Sequence, residues 1–446
     1  MPGENPRLTW LNGKAPQDGS YVLYWMDRAQ RAEANHALEL ATFMADRYEK
    51  PVLVVLRIGG EEPPITRRQA TFMAEGLCEL AGTLAERGIG FRVLPMAQEK
   101  TFREMLDKAL IAVTDVGYLR YHRERRGWLG DNAPCPAVAV DTDCLVPVTA
   151  ASEKAEYAAR TIRPKINRQL DDFLKPLTER RPAKAFSGIS LPDGIEPGDN
   201  HAIAEAAGNE GPEPVDWITG GHAQAADRLT KFLAHDLAAY DEERPDPNAA
   251  RVSMLSPYLR FGQISPLEIA LKARDAKADS ASFLEELVVR RELAANWCHY
   301  RDGYDSYEAL PDWARATLEK HRGDARNPGY TAAEMEEAKT GDEAWNAAMR
   351  QMKATGYLHN HLRMYWAKQI LRWASSPQYA LSTIMALNNR YFLDGGDHNS
   401  FANNLWTLGL HDRPFQENAV YGTVRPMTRS GLERKFDVKA YIRSVD

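Results

Sequence analysis

Apolar residues in the first third of the chain gather in short, nearly continuous runs at 21–25, 52–58, 91–94 and 111–114. Between them, residues 29–48, 67–87 and 101–110 carry apolar positions at helical spacing. Such runs read as strands covered on both faces, and strands alternating with amphipathic helices build a parallel sheet. The run 137–140 and the segment 141–148 read as the end of this unit. From about 176 to 221 Pro, Gly, Asp and Ala dominate, with Leu191-Pro192-Asp193-Gly194 and the stretch 208–214 as turn signals, which reads as an interdomain linker. From Ala223 onward helical periodicity takes over and strand patterns nearly vanish. The expected fold class is therefore α/β: a Rossmann-like parallel-sheet domain over 1–175, a linker over 176–221 and an all-helical domain over 222–446.

A length of 446 residues exceeds one ordinary core, in keeping with that division. With 44% hydrophobic and 26% charged residues, the composition is that of a soluble globular protein. No apolar run is long enough to span a bilayer, and residues 1–10 lack the layout of a signal peptide, so no membrane partner and a cytoplasmic location are expected. Cys78, Cys135, Cys144 and Cys298 lack metal-ligand spacing and are expected as free thiols. A net charge of −6 argues against coating nucleic acid without specificity, because that binding rests on neutralising many phosphates. The arginines and lysines between Arg413 and Arg443 leave a local basic face open. Neither a P-loop nor a G-x-G-x-x-G stands at a strand-to-helix junction.

Candidate chemistry concentrates in the helical half. Trp366 and Trp373 lie at i and i+7 and share one helix face, with Trp345 on the helix before them. Core filling is the commoner role of such residues, but a ladder of indoles is also a path for electrons. Asn360, Arg363 and Met364 add an amide, a fixed cation and a thioether on neighbouring parts of that surface, a mixture a core seldom needs. Ser253 and Ser256 flank a turn before Pro257, where hydroxyls and backbone N–H groups suit either a pyrophosphate or a helix cap. Glu286 and Arg290 stand at i and i+4, the spacing of a surface ion pair. The polar stretch 387–397, containing Asn388 and Asp394, reads by itself as a helix C-cap and turn. His359 and His361 are two apart, on different sides of a helix, and no metal site is expected.

The block His-Asn-His-Leu-Arg-Met-Tyr-Trp-Ala-Lys at 359–368 resembles the flavin-binding core of the photolyase and cryptochrome superfamily. Its ending Met-Tyr-Trp-Ala-Lys is similar to class II cyclobutane pyrimidine dimer photolyases. Tyr24-Trp25-Met26-Asp27-Arg28-Ala29-Gln30-Arg31, followed by Asn35-His36-Ala37-Leu38, resembles the opening of the antenna domain of that class. The segment Tyr157-Ala158-Ala159-Arg160-Thr161-Ile162-Arg163 resembles its exit, and Ser253-Met254-Leu255-Ser256-Pro257-Tyr258-Leu259-Arg260-Phe261-Gly262 resembles the flavin phosphate loop. The stretch Glu285 to Leu293 and Lys435-Phe436-Asp437 fit as well.

The resemblance implies an enzyme that binds UV-damaged DNA, flips a pyrimidine dimer beside reduced FAD and splits it with a light-driven electron. It implies FAD contacts at Tyr240, Ser253, Met254, Leu255, Ser256, Arg290, Asn360, Arg363, Asn388 and Asp394. Glu286, Met364, Asn388 and Trp406 would act at the dimer and flavin, with Trp297 a candidate further contact whose commoner role is core packing. Trp366, Trp345, Trp373 and Tyr330 would carry electrons to oxidised flavin. An antenna chromophore, a deazaflavin (8-HDF) or a folate (MTHF), would sit in the N-terminal domain, and the protein would be a monomer. The alternative is a cryptochrome-like photoreceptor; outside the light-driven class stand a flavin electron-transfer protein and a plain helical binding module. Two segments depart from the family pattern: 58–64, at the expected antenna site, and His411-Asp412-Arg413-Pro414-Phe415, where the family usually has His-Asp-Gln-Gly-Trp and a basic stretch.

Overall fold

The computed structural model describes residues 5–249 and 251–445. Six strands, β1 (Leu8–Trp10), β2 (Tyr21–Met26), β3 (Val52–Ile58), β4 (Gly90–Pro95), β5 (Ala109–Asp115) and β6 (Ala137–Val140), form one sheet in the order β1-β6-β5-β2-β3-β4. β1 runs antiparallel to β6, and the remaining pairs are parallel. Every residue of β2, β3, β5 and β6 is buried, as expected for strands with helices on both faces. The chain winds outward in both directions from the β2–β5 pair, which opens a crevice at the carboxyl ends of these strands.

Three expected helices change their bounds: that over 101–110 is Glu99–Asp107, with β5 starting at Ala109, and the other two change for local reasons. The stretch 67–87 is two helices, Arg67–Glu75 and Leu77–Glu86. The break falls at Gly76, where a Cβ would come within 2.9 Å of Gln263 Nε2 and of the Gly221 Cα. The helix expected over 29–48 is His36–Arg47, begun by Asn35, whose Oδ1 accepts from the Leu38 N–H at 3.0 Å. The segment 176–221 contains the helix Asn200–Ala207, packed on Arg67–Glu75, and Ile195 bridges to Val93 of β4. It is laid along the sheet domain, with Ile203 fully buried.

From His222 the described residues are helical and contain no further strand. Glu343–Thr355 and Pro377–Tyr391 both pack against the helix Asn360–Trp373, and Val438–Val445 backs Glu343–Thr355 through the Tyr441 hydroxyl, which donates to Gln351 Oε1 at 2.6 Å. Arg291–Tyr300 packs on His398–Trp406 and is entered through a π-turn over Glu285–Arg290. No helix among the described residues is long and apolar enough to cross a membrane.

Buried charges join the crevice to the helical half. Asp115, at the end of β5, accepts from the backbone N–H groups of Asp27, Arg28 and Ala29 and from the Tyr24 hydroxyl, which fixes the turn after β2. That turn aims Arg28 across the interface. Its Nε lies 3.0 Å from Asp143 Oδ2 and its Nη2 2.9 Å from Asp397 Oδ1, while Nη1 donates to the Arg260 carbonyl at 2.7 Å. Arg291 Nη2 reaches the same Asp143 oxygen at 2.7 Å. Burial alone would raise both carboxyls; Arg28 together with Arg291 at Asp143, and with His398 at Asp397, outweighs it and holds both below the usual carboxylate range. Gly262 closes the contact, because its φ is +68° and a Cβ would lie 2.2 Å from the Arg28 carbonyl oxygen.

Removing Asp143 leaves two buried guanidinium groups without their shared partner, so Asp143→Ala is expected to cost about 3–5 kcal/mol in denaturant unfolding. Both carboxyls are depressed in the folded state. Their stabilisation is therefore complete above the unfolded carboxyl pKa near 4 and is lost as pH falls through the folded values. Acid unfolding of Asp397→Asn followed by circular dichroism should show a shallower dependence below that pH than the parent.

Candidate functional site

The helix Asn360–Trp373 organises most of the candidate residues. His359 opens it, its Nδ1 accepting from the His361 N–H at 3.3 Å, and Asn360 stands exposed in the first turn. One turn on, Arg363 Nη1 lies 2.9 Å from Asp394 Oδ1 and Nη2 donates to Asn388 Oδ1 at 2.6 Å. The guanidinium lies over the Phe392 ring with its carbon 3.8 Å from the centroid. Asn388 is fully buried, and its Nδ2 donates to Ser400 Oγ at 2.5 Å and Asn389 Oδ1 at 2.9 Å. The stretch is also a helix end and turn, as expected, with Phe392 as the C-cap whose N–H bonds to the Asn388 carbonyl. Asn388 lies inside the last turn of Pro377–Tyr391, with its side chain turned across to the neighbouring helices.

The indoles form a continuous series. Trp345 stacks on Trp366 with centroids 6.5 Å apart and planes 9° from parallel, and meets Trp373 edge to face at 5.3 Å. Tyr330 meets Trp373 at 5.1 Å, and its hydroxyl accepts from the Gly341 N–H at 2.7 Å. Trp345 Nε1 donates to the Trp366 carbonyl at 2.9 Å, which locks the stacked pair. Trp366 and Trp345 are fully buried, Trp373 nearly so and Tyr330 half-buried, so the series runs from core to surface.

Glu286 differs from the sequence expectation. A π-turn closes every fifth residue, so Arg290 meets Glu285, with Nε 3.3 Å from Oε1, and not Glu286 at i−4. Glu286 instead binds Arg244 Nη1 at 2.8 Å, and Arg244 covers the ring of Tyr240 at 5.6 Å. Tyr240 packs edge to face on Phe232 and Phe283. Arg290 is exposed, whereas Arg291 is buried on Asp143. Trp297 behaves as core: 4% exposed, with Nε1 donating to the Tyr304 carbonyl at 3.3 Å and His411 packed edge to face at 5.6 Å. Met364 and Trp406 are half-buried.

Ser256 and Pro257 are the first two residues of the helix Ser256–Phe261 and Leu255 is its N-cap, so the cap reading of the serines is not realised. Leu255 is buried, and Met254 holds a φ of +55°, a backbone state that a methionine rarely adopts and that bends the loop sharply. Met254 lines a cavity of about 240 Å³ with His359, Leu362, Tyr357, Trp217 and Tyr441 among its walls. His359 is 4% exposed, and its Nε2 has no hydrogen-bond partner among the described residues. Burial, with His361 beside it, lowers its pKa to about 4 against the opposing pull of the Arg244 backbone, so the ring is neutral, and with Nδ1 accepting, Nε2 carries the proton.

A sharp loop bend at Met254 and a fixed cation–carboxylate–amide cluster suit a nucleotide-containing group such as FAD. Ser253, Met254, Leu255, Ser256 and Tyr240 stand on the loop side, and Arg363, Asn388 and Asp394 on the cluster side. Asn360 and Arg290 point outward at the rim. Among the described residues there is no group of three or more His, Cys, Asp or Glu side chains placed to hold a metal ion. Arg244, Ser400 and Phe392 were not legible in the sequence, since each meets a partner that no local spacing connects to it.

A model of the DNA photolyase family matches residues 22–183. The chain is 40% identical over 440 residues to the deoxyribodipyrimidine photo-lyase of Methanothermobacter thermautotrophicus, covering 98% of this chain and 97% of that one. Among solved structures, a class III photolyase from Agrobacterium tumefaciens superposes with a TM-score of 0.74 at 19% identity, over 97% of this chain and 87% of that one. A Synechocystis cryptochrome superposes at 0.72 and 16% identity, over 95% and 88%.

Removing Arg363 would strand the Asn388 amide and the Asp394 carboxylate. Arg363→Ala is expected to lower stability by about 1.5–3 kcal/mol, the range for hydrogen bonds to a charged group, as read by urea unfolding.

Proposed function

The chain belongs to the DNA photolyase family, and on that premise we propose that it repairs cyclobutane pyrimidine dimers in DNA under light, in the manner of class II photolyases. The observation that carries the reading is that one helix, Asn360–Trp373, supplies both Arg363, which gathers Asn388 and Asp394 from the neighbouring segment, and Trp366 and Trp373, which join Trp345 and Tyr330 in one aromatic series. When bound, reduced FAD supplies a light-driven electron for the dimer and takes it back after the ring has split. The protein's part is positioning and electrostatics. An antenna chromophore in the N-terminal domain, a deazaflavin or a folate, would widen the light collected.

Ser253, Met254, Leu255, Ser256 and Tyr240 would hold the phosphate end, with Arg290 and Asn360 at its rim. Asn388 would meet the flavin N5, and Arg363 with Asp394 would fix the neighbouring edge. The Asn388 Oδ1 already accepts from Arg363 and its Nδ2 donates to Ser400, so the amide has one orientation rather than two. Glu286 would accept from the dimer bases, with Arg244 holding its carboxylate in place. Trp406 and Met364 would pack on the flipped dimer, whose damaged bases cost less to unstack than intact ones. The buried-to-exposed order of the tryptophans supports a separate task, reduction of oxidised flavin from the surface.

A cryptochrome-like photoreceptor shares this fold, so the fold does not separate the two readings. Glu286, Met364 and Trp406 favour repair, because signalling needs no dimer pocket.

Blue light applied to the prereduced protein with a thymine-dimer oligonucleotide should restore intact thymines, with none restored in the dark. Glu286→Ala should reduce the yield about tenfold, the weight of one hydrogen bond to a charged group. Bound, photoreducible flavin without repair would overturn the reading in favour of the photoreceptor. Trp366→Phe should abolish photoreduction yet leave repair by prereduced protein intact; loss of both together would refute the separate task of the tryptophans.

A further inference from the structure

Lys368 stands two residues after Trp366 and is fully buried. A lysine seldom occupies such a position without a carboxylate partner. Its Nζ donates to the Thr407 carbonyl at 2.5 Å and lies over the Trp406 ring, 5.2 Å from the centroid. The backbone on either side is tied down as well: the Lys368 carbonyl accepts from the Tyr421 hydroxyl at 2.9 Å, and Gln369 Nε2 donates to the Met427 carbonyl at 2.6 Å. Thr407 and Trp406 close the helix His398–Trp406, so this one ammonium grips both the end of that helix and the indole it presents.

We propose that Lys368 is a positioning residue for lesion recognition: it fixes the height and tilt of Trp406 and places a positive charge behind the ring on which the dimer packs. The proposal rests on the repair reading given above and adds a residue to it. The dimer accepts one electron, its two cyclobutane C–C bonds break, and the electron leaves again. A cation behind Trp406 favours the step in which the dimer is negative and demands no change in Lys368 itself. The cation–indole contact also holds the ring against the rotation that a half-buried tryptophan otherwise has.

The charge state gives a readout that packing alone would not move. Burial pulls the ammonium down to about 7, with Asp412 opposing the shift and Arg425 adding to it. The groups facing it are the Trp406 ring, the Thr407 carbonyl, Asp412 and Arg425. Lys368 is therefore cationic below neutrality and neutral above it.

The test compares wild type, Lys368→Met and Lys368→Arg, each FAD-loaded, in binding to dimer-containing and intact oligonucleotides and in repair yield at saturating DNA between pH 6 and 9. The expected result is a roughly three- to tenfold loss of the damaged-to-intact affinity ratio in Lys368→Met, the weight of a cation–π contact to a half-buried ring, with intact-DNA affinity and flavin content unchanged. Wild-type lesion preference should fall as pH rises through neutrality, Lys368→Met should be flat, and Lys368→Arg should keep the preference across the range. A wild type that repairs beside a Lys368→Met protein with the same affinity ratio and yield overturns the role of Lys368 alone. If Lys368→Met fails to hold flavin, a flat wild-type profile overturns it equally. A wild type that repairs nothing at any pH removes the repair reading and this proposal together.

Discussion

The buried arginine–carboxylate junction at Arg28 is the constraint on which the arrangement of the molecule depends. Desolvating two guanidinium groups and two carboxylates is costly unless each finds its partner, and only one relative placement of sheet and helices satisfies Arg28, Arg291, Asp143 and Asp397 together. The same placement sets the site. Arg28 holds the Arg260 carbonyl, and Arg260 Nε donates to the Gly395 carbonyl, beside Asp394. The helix Ser256–Phe261 and the turn that carries Asp394 are thus referred to one residue on the far side of the interface.

The helix Asn360–Trp373 divides its surface among several duties. Arg363 meets the cluster, Trp366 and Trp373 enter the aromatic series, and Lys368 passes beneath Trp406. These assignments follow from 100° per residue and from the identity of the neighbours, and they explain why so short a block of sequence carries such specific chemistry.

The strands were legible because β2, β3, β5 and β6 are predominantly apolar, with Arg57, Thr114 and Asp115 only near their carboxyl ends, and the shared face of Trp366 and Trp373 followed from their spacing. Other features were hidden for physical reasons. The helix Arg120–Asn132 turns His122 and Arg125 inward, so its buried side carries little apolar periodicity. Ala159–Phe173 contains Pro164, which argues against a helix interior. Glu286 and Arg244 are 42 residues apart, and the interface partners of Arg28 lie more than 100 residues away. Nothing local marked Lys368 as buried, because its partner Thr407 lies 39 residues on. Pairing between distant elements is set by tertiary packing, and local pattern carries no record of it.

The π-turn at Glu285–Arg290 acts as a phase shifter. It holds one residue more than an ordinary helical turn, and residues beyond it are rotated by about 100° from where an unbroken α-helix would put them. Two adjacent arginines are thereby sorted to opposite environments: Arg290 to solvent, Arg291 to the domain interface. Any comparison with a relative that lacks the extra residue must carry a gap at this point, or it will exchange the two and assign the interface arginine to the pocket.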